Sequence, residues 1–459
     1  MAETIRESSK EHPFQKKPNR TLVRLAFPVL FSLVAEPLTG LADTAFVARL
    51  AGAEPVAALG VGTVAFTSLF WAFTFLGVGT QTAVAQALGR DEQQRATRVV
   101  SLACLLALVF GGGLLFGTIG FLSPIAALFG AEGVVNDLAC DYMTYRLVGA
   151  PAVLISLACF GAFRGLQDMH TPLYVAVAVN LLNIVLDWIL IFGSGGLSPL
   201  GVAGAAIAST ISQWIGAVWC VWGVWRRLGW TWKVHGSDVA RLMKVGGDLS
   251  IRTGAVLVFL ALCTRVANQY GPNEGAAYQA IRQFYIFSAL FLDAFAVTGQ
   301  SLVGYFVGAA DRMQARRVAR VVCLWSLGTG TVLCLFMLLA EQGVAWLLVP
   351  STAHGIFGPA WIVVALTQPL GSLSFATDGI HWGTGDFRYL RNAMLVACMI
   401  GGACLWMMRF FQPSNVLVFI WLVTALWTFI RAGFGIVRLW PGIGDAPLAQ
   451  KTAKKSALR

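Results

Sequence analysis

Apolar runs long enough to cross a bilayer recur along the whole of this 459-residue chain, and that recurrence limits its fold more than any other feature. A transmembrane helix needs about 20 largely apolar residues. We read such stretches over residues 24–48, 57–87, 99–121, 141–163, 171–193, 201–224, 248–269, 275–307, 319–340, 357–383, 391–410 and 414–437. The runs are continuous rather than alternating, which argues against a transmembrane β-barrel and for an all-α polytopic membrane protein of twelve helices. Charged residues are 12% of the chain, against about 25% in soluble domains. The second and eighth runs exceed the bilayer thickness and are expected to tilt or bend.

The net charge of +11 would suggest nucleic acid in a soluble protein. Here the basic residues sit between apolar runs, so no nucleic-acid partner is expected and the bilayer is the surrounding partner. One set of loops carries Arg90, Arg95 and Arg98, then Arg164, then Arg226, Arg227, Lys233, Arg241 and Lys244, then Arg312, Arg316, Arg317 and Arg320, then Arg388 and Arg391. The alternate loops, "GSGGLSPLG", "YGPNEG" and "SPIAALFGAEGVVND", are nearly free of lysine and arginine. The positive-inside rule therefore places the first set and both termini in the cytoplasm. The polar N-terminal stretch leads into no cleavable signal pattern, so the first apolar run is expected to act as an uncleaved anchor. The nine cysteines show no paired or metal-ligand spacing and read as small core residues, with no metal expected. There is no phosphate-binding loop of the form G-x-x-x-x-G-K-[ST] and no nucleophile elbow. A direct ATP requirement, a cofactor and an enzymatic activity are therefore not expected.

Two matches between the halves suggest an internal repeat. Glu54 to Asp91 runs parallel to Glu274 to Asp311, with Gly79 opposite Gly299. "GAFRGLQD" (Gly161 to Asp168) and "GIHWGTGD" (Gly379 to Asp386) share G-x-x-x-G-x-x-D at an offset of 218. The expected organisation is a tail over 1–23, a six-helix lobe over 24–224, a linker over 225–247, a second lobe over 248–437 and a tail over 438–459. Six spans per copy give both lobes the same polarity. That predicts two pseudo-symmetric lobes around a central cavity, an arrangement common in transporters.

Ionisable groups inside such spans cost at least about 2.5–3.5 kcal/mol on insertion scales and mark function by default. At 1.5 Å rise per residue, Asp43 in span 1 and Asp187 in span 5 fall at similar depth in the same half of the membrane. Asn183 lies one turn from Asp187, and Glu36 shares a face with Asp43. No basic residue of the first six spans reaches that depth in this reading, since Arg49 and Arg146 fall near outer ends. Two carboxyls without a cation in a low dielectric favour holding a proton. The stripe of Glu36, Asp43, Asn183 and Asp187 is therefore the candidate proton-coupling site. A capping or purely structural role for Asp43 and Asp187 is the competing reading. Pro28, four turns below Asp43, is the candidate hinge.

In the second half Arg252, Asp293 and Asp378 come to similar depth. A pair between Arg252 and either aspartate would keep the carboxylate ionised, as a clamp or gate rather than a proton carrier. Phe66, Tyr278, Gln279 and Phe284 on the two longest runs are candidates to line a cavity for flat, apolar or cationic compounds.

The segments "FPVLFSLVAEPLTGLADTAFVARLAG", "AAYQAIRQ", "NIVLDWILIFG" and "TDGIHWGTGDFRY" resemble the multidrug and toxic compound extrusion (MATE) family, in the form of its DNA-damage-inducible F-like (DinF-like) bacterial branch. The resemblance covers nearly the whole chain. It implies a V-shaped pair of six-helix lobes that exports organic, often cationic, compounds from the bacterial inner membrane in exchange for H⁺ or Na⁺. By the same resemblance Asp43 matches a proton-linked aspartate, Asn183 and Asp187 a polar pair on span 5, Pro28 a bending proline, and Asp378 an acidic residue of span 10. Family members with a sodium site in the second lobe carry a glutamate where Arg252 stands here, so proton coupling is expected ahead of sodium. A monomer handling small organic substrates is expected, and a flippase for a lipid-linked intermediate is the alternative.

Overall fold

The structure is a computed structural model that describes residues 12–193, 198–411, 413, 415–440 and 444–449. The described residues form helices and short connections, in agreement with the all-α reading. In order they are α1 (Pro13–Lys16), α2 (Pro18–Val47), α3 (Glu54–Trp71), α4 (Phe75–Gly89), α5 (Gln93–Thr118), α6 (Leu122–Leu128), α7 (Gly133–Val148), α8 (Ala150–Gly165), α9 (His170–Phe192), α10 (Gly201–Leu228), α11 (Gly236–Tyr270), α12 (Pro272–Gly308), α13 (Arg312–Leu348), α14 (His354–Thr384), α15 (Phe387–Phe411) and α16 (Val416–Leu439). Among the described residues eleven helical stretches are long and apolar enough to cross a membrane, or up to twelve when the bent pair α7–α8 counts as one span.

The distribution of side chains is inverted relative to a soluble protein. On α9, Val177, Leu181, Val185 and Trp188 are exposed while Asn183 and Asp187 are buried. An exposed apolar stripe repeated on helix after helix is suited to lipid, where the backbone must satisfy its own hydrogen bonds. The chain is therefore a multi-pass membrane protein.

Several spans differ from their sequence boundaries. The second long run breaks over residues 72–74 into α3 and α4, whereas the eighth is the continuous 37-residue helix α12. The "SPIAALFGAEGVVND" stretch contains α6 and the start of α7 rather than a simple loop. As a result the fourth span starts at Gly133 and not near residue 141. It bends by 48° between α7 and α8, where Gly149 and the N–H-lacking Pro151 interrupt the hydrogen-bond ladder. Residues 194–197 of the "GSGGLSPLG" loop, and the tail residues 1–11 and 450–459, lie outside the described residues.

The chain divides into two compact units. The first comprises Val29–Leu257 with Phe387–Asn392, and the second comprises the described part of Met1–Pro28 with Val258–Asp386 and the described residues after Ala393. The boundary passes through α2 at Pro28 and through the interior of α11. In the second unit Phe14 of α1 is fully buried in a cluster with Leu22, Leu302, Phe306 and Val318, and the His12 ring lies 4.6 Å from that of Tyr305.

The internal repeat is visible in atomic detail within each unit. A Cβ on Gly161 of α8 would overlap the Gly77 carbonyl of α4, and a Cβ on Gly379 of α14 would overlap the Ala296 carbonyl of α12. One turn on, Gly165 and Gly383 meet the Gln81 and Gln300 carbonyls in the same way. These positions must be glycine because two helix backbones touch there. Each helix then ends in a left-handed residue, Gln167 (φ 61°) and Gly385 (φ 85°). The following N–H turns back five residues, from Asp168 to Phe163 O and from Asp386 to His381 O, both at 2.9 Å. This is the six-to-one closure of a Schellman motif.

Candidate functional site

The interior of the first unit is organised by one stripe of α9. Pro172, Val175, Val179, Asn183, Asp187 and Ile191 are its buried residues, spaced three or four apart. They face α10, whose small residues Gly204, Ala205, Ala208, Ser209, Ser212 and Gly216 are buried. A Cβ on Gly204 would come within 2.7 Å of the Leu190 carbonyl oxygen, so the two backbones meet there. Close approach of α9 to α10 is what carries Asn183 to Ser209. The Asn183 amide is oriented by its partners. Its nitrogen donates to Asp43 Oδ1 at 3.0 Å and its oxygen accepts from the Ser209 backbone N–H at 3.2 Å.

Asp43 arrives from α2, near the end of a helix that contains Pro28 and Pro37. Thr39 and Thr44 hydroxyls donate back to Ala35 O (3.1 Å) and Gly40 O (2.8 Å), a pattern that bends helices slightly. Asp43 is 8% exposed, Asn183 2% and Asp187 fully buried, so all three are out of bulk solvent. The Asp43 and Asp187 carboxyl groups lie close enough to interact directly. Two such carboxyl groups could bond to each other only by sharing a proton, because an ionised carboxylate is an acceptor alone. Asp187 Oδ1 is buried and has no hydrogen-bond partner among the described residues.

The sequence expectation that Asp43, Asn183 and Asp187 share one pocket thus matches the geometry, while the Glu36 side chain lies outside those described. The expectation that no cation reaches this depth is corrected. Arg146 acts electrostatically on both carboxyls. Because α7 begins at Gly133, Arg146 lies thirteen residues into its span, about 20 Å along the helix. Its guanidinium stacks over the Phe66 ring at 4.3 Å. Arginine inside an apolar run was the available signal, hidden by the mistaken span start.

In the second unit Asp378 is bonded to Arg431 of α16, at 2.7 Å and with both side chains buried. Arg431 also stacks on Trp427 at 4.3 Å. The sequence reading paired Asp378 or Asp293 with Arg252 and did not single out Arg431, although an arginine deep in the last apolar run was visible. Arg252 on α11 falls in the first unit, and Asp293 on α12 in the second; both are half-buried. Pro28 lies within the uninterrupted helix α2, at the point where that helix passes from one unit to the other.

The aromatic cavity candidates are mostly packing residues. Tyr278 is 1% exposed and stacks on Trp421 at 5.4 Å. Phe284 packs edge-on against Trp361 at 4.9 Å. Phe66 is buried beneath Arg146 and against Phe70. Aromatic pairs at these separations supply interhelical cohesion. Gln279 is exposed and accepts a weak 3.4 Å bond from Arg282.

At the loop that starts α9, Asp168 accepts from the backbone N–H groups of His170 (3.2 Å) and Thr171 (3.1 Å) and pairs with Arg227. Burial pushes the Asp168 carboxyl up, but the bonds from Thr171 and Arg227 outweigh it and hold the group below its ordinary value. Its repeat partner Asp386 pairs with Arg438 at 2.8 Å. No cluster of metal-ligating side chains occurs among the described residues.

Residues 28–189 and 253–406 match the model of the MatE family. The chain is 30% identical over 465 residues to "Protein DETOXIFICATION 44, chloroplastic" of Arabidopsis thaliana, covering 95% of this chain and 86% of that one. It is 27% identical to "DNA damage-inducible protein F" of Escherichia coli (strain K12), covering 93% of each. Its fold is similar to that in "Crystal structure of MATE in the bent conformation", with a TM-score of 0.84 at 21% identity over 92% of this chain and 94% of the other.

Proposed function

Because the chain belongs to the MatE family, we propose that it is a proton-coupled antiporter exporting organic, cationic or amphipathic compounds by alternating access. The location we propose is the bacterial inner membrane, with both termini cytoplasmic, on the positive-inside pattern of its loops. Export is supported by the detoxification wording of the Arabidopsis relative's name. One observation carries the coupling assignment: two carboxyls, Asp43 and Asp187, are buried within reach of each other, and such a pair favours sharing a proton. The site binds one H⁺ and can release it, while the carboxylate of the second unit is already neutralised by Arg431.

In the proposed cycle a proton from outside closes the Asp43–Asp187 bond, with Asn183 and Ser209 holding Asp43 in register. Asp43 is fixed to α9 in that state, and α2 alone carries the adjustment, with Pro28 as the flexible point. Substrate leaves outward. Loss of the proton to the cytoplasm opens the pair and resets the carrier. A ligand shifts such an equilibrium only by its difference in affinity between the two shapes, and the proton supplies that difference here.

Purified protein in proteoliposomes, loaded with a fluorescent organic cation, tests the reading. Asp43→Asn and Asp187→Asn are expected to abolish efflux driven by a pH gradient. Unchanged gradient-driven efflux in Asp43→Asn overturns the assignment. A flux that follows a Na⁺ gradient and ignores pH replaces proton by sodium coupling, and movement of a lipid-linked substrate in place of the cation favours the flippase.

A further inference from the structure

Arg146 occupies an unstable position for a guanidinium. It is stacked on Phe66 at 4.3 Å, and its Nε and Nη1 are buried without an acceptor. Burying such donors unbonded costs about 1–3 kcal/mol for a neutral group and more for a charged one. The cost persists although two carboxyl groups lie within electrostatic reach. Asp187 Oδ1 is likewise buried without a hydrogen-bond partner, so an acceptor and the Arg146 donors stand unmet in the same unit.

Resting on the proton-coupled reading, we infer that Arg146 is an internal counter-ion that replaces the proton. With the proton in place, Asp43 and Asp187 bind one another and Arg146 is parked on Phe66. When the proton leaves to water, two carboxylates face each other with one negative charge more than before. Arg146 then leaves the ring and donates its orphaned N–H groups to them. The charge added by deprotonation is compensated by a resident cation rather than by an ion from solution. Arg146 is a positioning residue here, and the groups that act electrostatically on the carboxyl pair are Arg146 and the pair itself, among the described side chains. The placement suits a swing. Arg146 stands three residues before Gly149, where the span bends by 48°. Phe66 is held from behind by Phe70 at 4.1 Å, so the ring is a fixed rest for the guanidinium.

The test compares Arg146→Gln and Arg146→Lys with the parent, as full chains in proteoliposomes with the same fluorescent cation. Two rates are read: substrate exchange without a gradient, and efflux driven by a pH gradient over a series of pH values. Arg146→Gln is expected to keep gradient-free exchange but to lose about tenfold in gradient-driven efflux, with its pH profile flattened. Arg146→Lys restores most of both the rate and the profile. The double variant Asp43→Asn/Arg146→Gln is no worse than Asp43→Asn alone, because both act on one pair. Parent-like efflux in Arg146→Gln overturns the inference. So does an additive double variant, or an equal loss of both rates together with a lowered melting temperature and no rescue by lysine, which marks a merely structural residue. If Asp43→Asn itself leaves gradient-driven efflux intact, the proton-coupled reading fails first. If Asp43→Asn is inactive and Arg146→Gln is not, only the counter-ion role fails.

Discussion

In the first unit a buried aspartate, Asp43, lies beside another carboxyl; in the second a buried aspartate, Asp378, is bonded to a guanidinium. Around them the scaffold repeats. Gly161 and Gly379 each lie against a neighbouring helix backbone, and each helix closes through the same turn onto an aspartate paired with arginine. Scaffold and charge have therefore been separated. Contacts that set helix spacing recur in both units, because two backbones in contact tolerate no side chain. The interior polar groups are free to diverge, because they affect only the charge state of a pocket. An arginine partner favours the ionised carboxylate, whereas a neighbouring carboxyl disfavours it.

The largest effect expected from this contrast is on stability. Arg431→Leu leaves Asp378 buried without its partner, and breaking a buried pair in this way costs about 3–5 kcal/mol. Its melting temperature should fall well below that of the parent, and Arg431→Leu/Asp378→Leu should recover much of the loss. Asp43→Asn, by contrast, can keep both hydrogen bonds and should melt close to the parent. A stable Arg431→Leu protein with altered proton dependence would break the contrast between the units.

Next in size are the paired glycines. Gly161→Ala and Gly379→Ala each drive a methyl into a carbonyl oxygen, and overpacking of this kind costs about 1–3 kcal/mol. Thermal unfolding should show similar losses for the two. A loss confined to one would mean that the units do not share their packing.

The smallest effect belongs to Asp168. Its carboxyl is held below the ordinary value in the folded protein, so the ionised form favours folding at neutral pH and protonation removes that contribution. Asp168→Asn keeps a capping acceptor and loses only the pairing with half-exposed Arg227, so it should cost below about 1 kcal/mol near pH 7. The difference from the parent should shrink as pH falls below the unfolded carboxylate value of about 4 and through the lower folded one.

Much of this was legible in the sequence where the physics is local. The apolar runs fixed the class, and the one-turn spacing of Asn183 and Asp187 put both on one face. The G-x-x-x-G-x-x-D match already held both backbone contacts and the capping aspartate. Depth counting brought Asp43 to Asp187 because both spans were placed well enough. It failed for Arg146, since the helical start of α7 lies in a stretch rich in glycine and acidic residues that reads as a loop. It passed over Arg431, because the partner of a buried charge depends on which helices pack together, and α14 with α16 is a tertiary fact. The aromatic residues could not be sorted from sequence for the same reason: a ring buried between helices and a ring facing a cavity have the same local sequence.

The passage of α2 from one unit to the other at Pro28 has a consequence for how the protein is made. The first unit includes Phe387–Asn392, and the second includes residues that precede Pro28. Neither can be completed from one continuous stretch of the gene. As the ribosome works from the N-terminus, the last segment of the first unit, Phe387–Asn392, is made only after Val258–Asp386 of the second. A gene severed at the linker would deliver two fragments, each lacking a piece that the other carries.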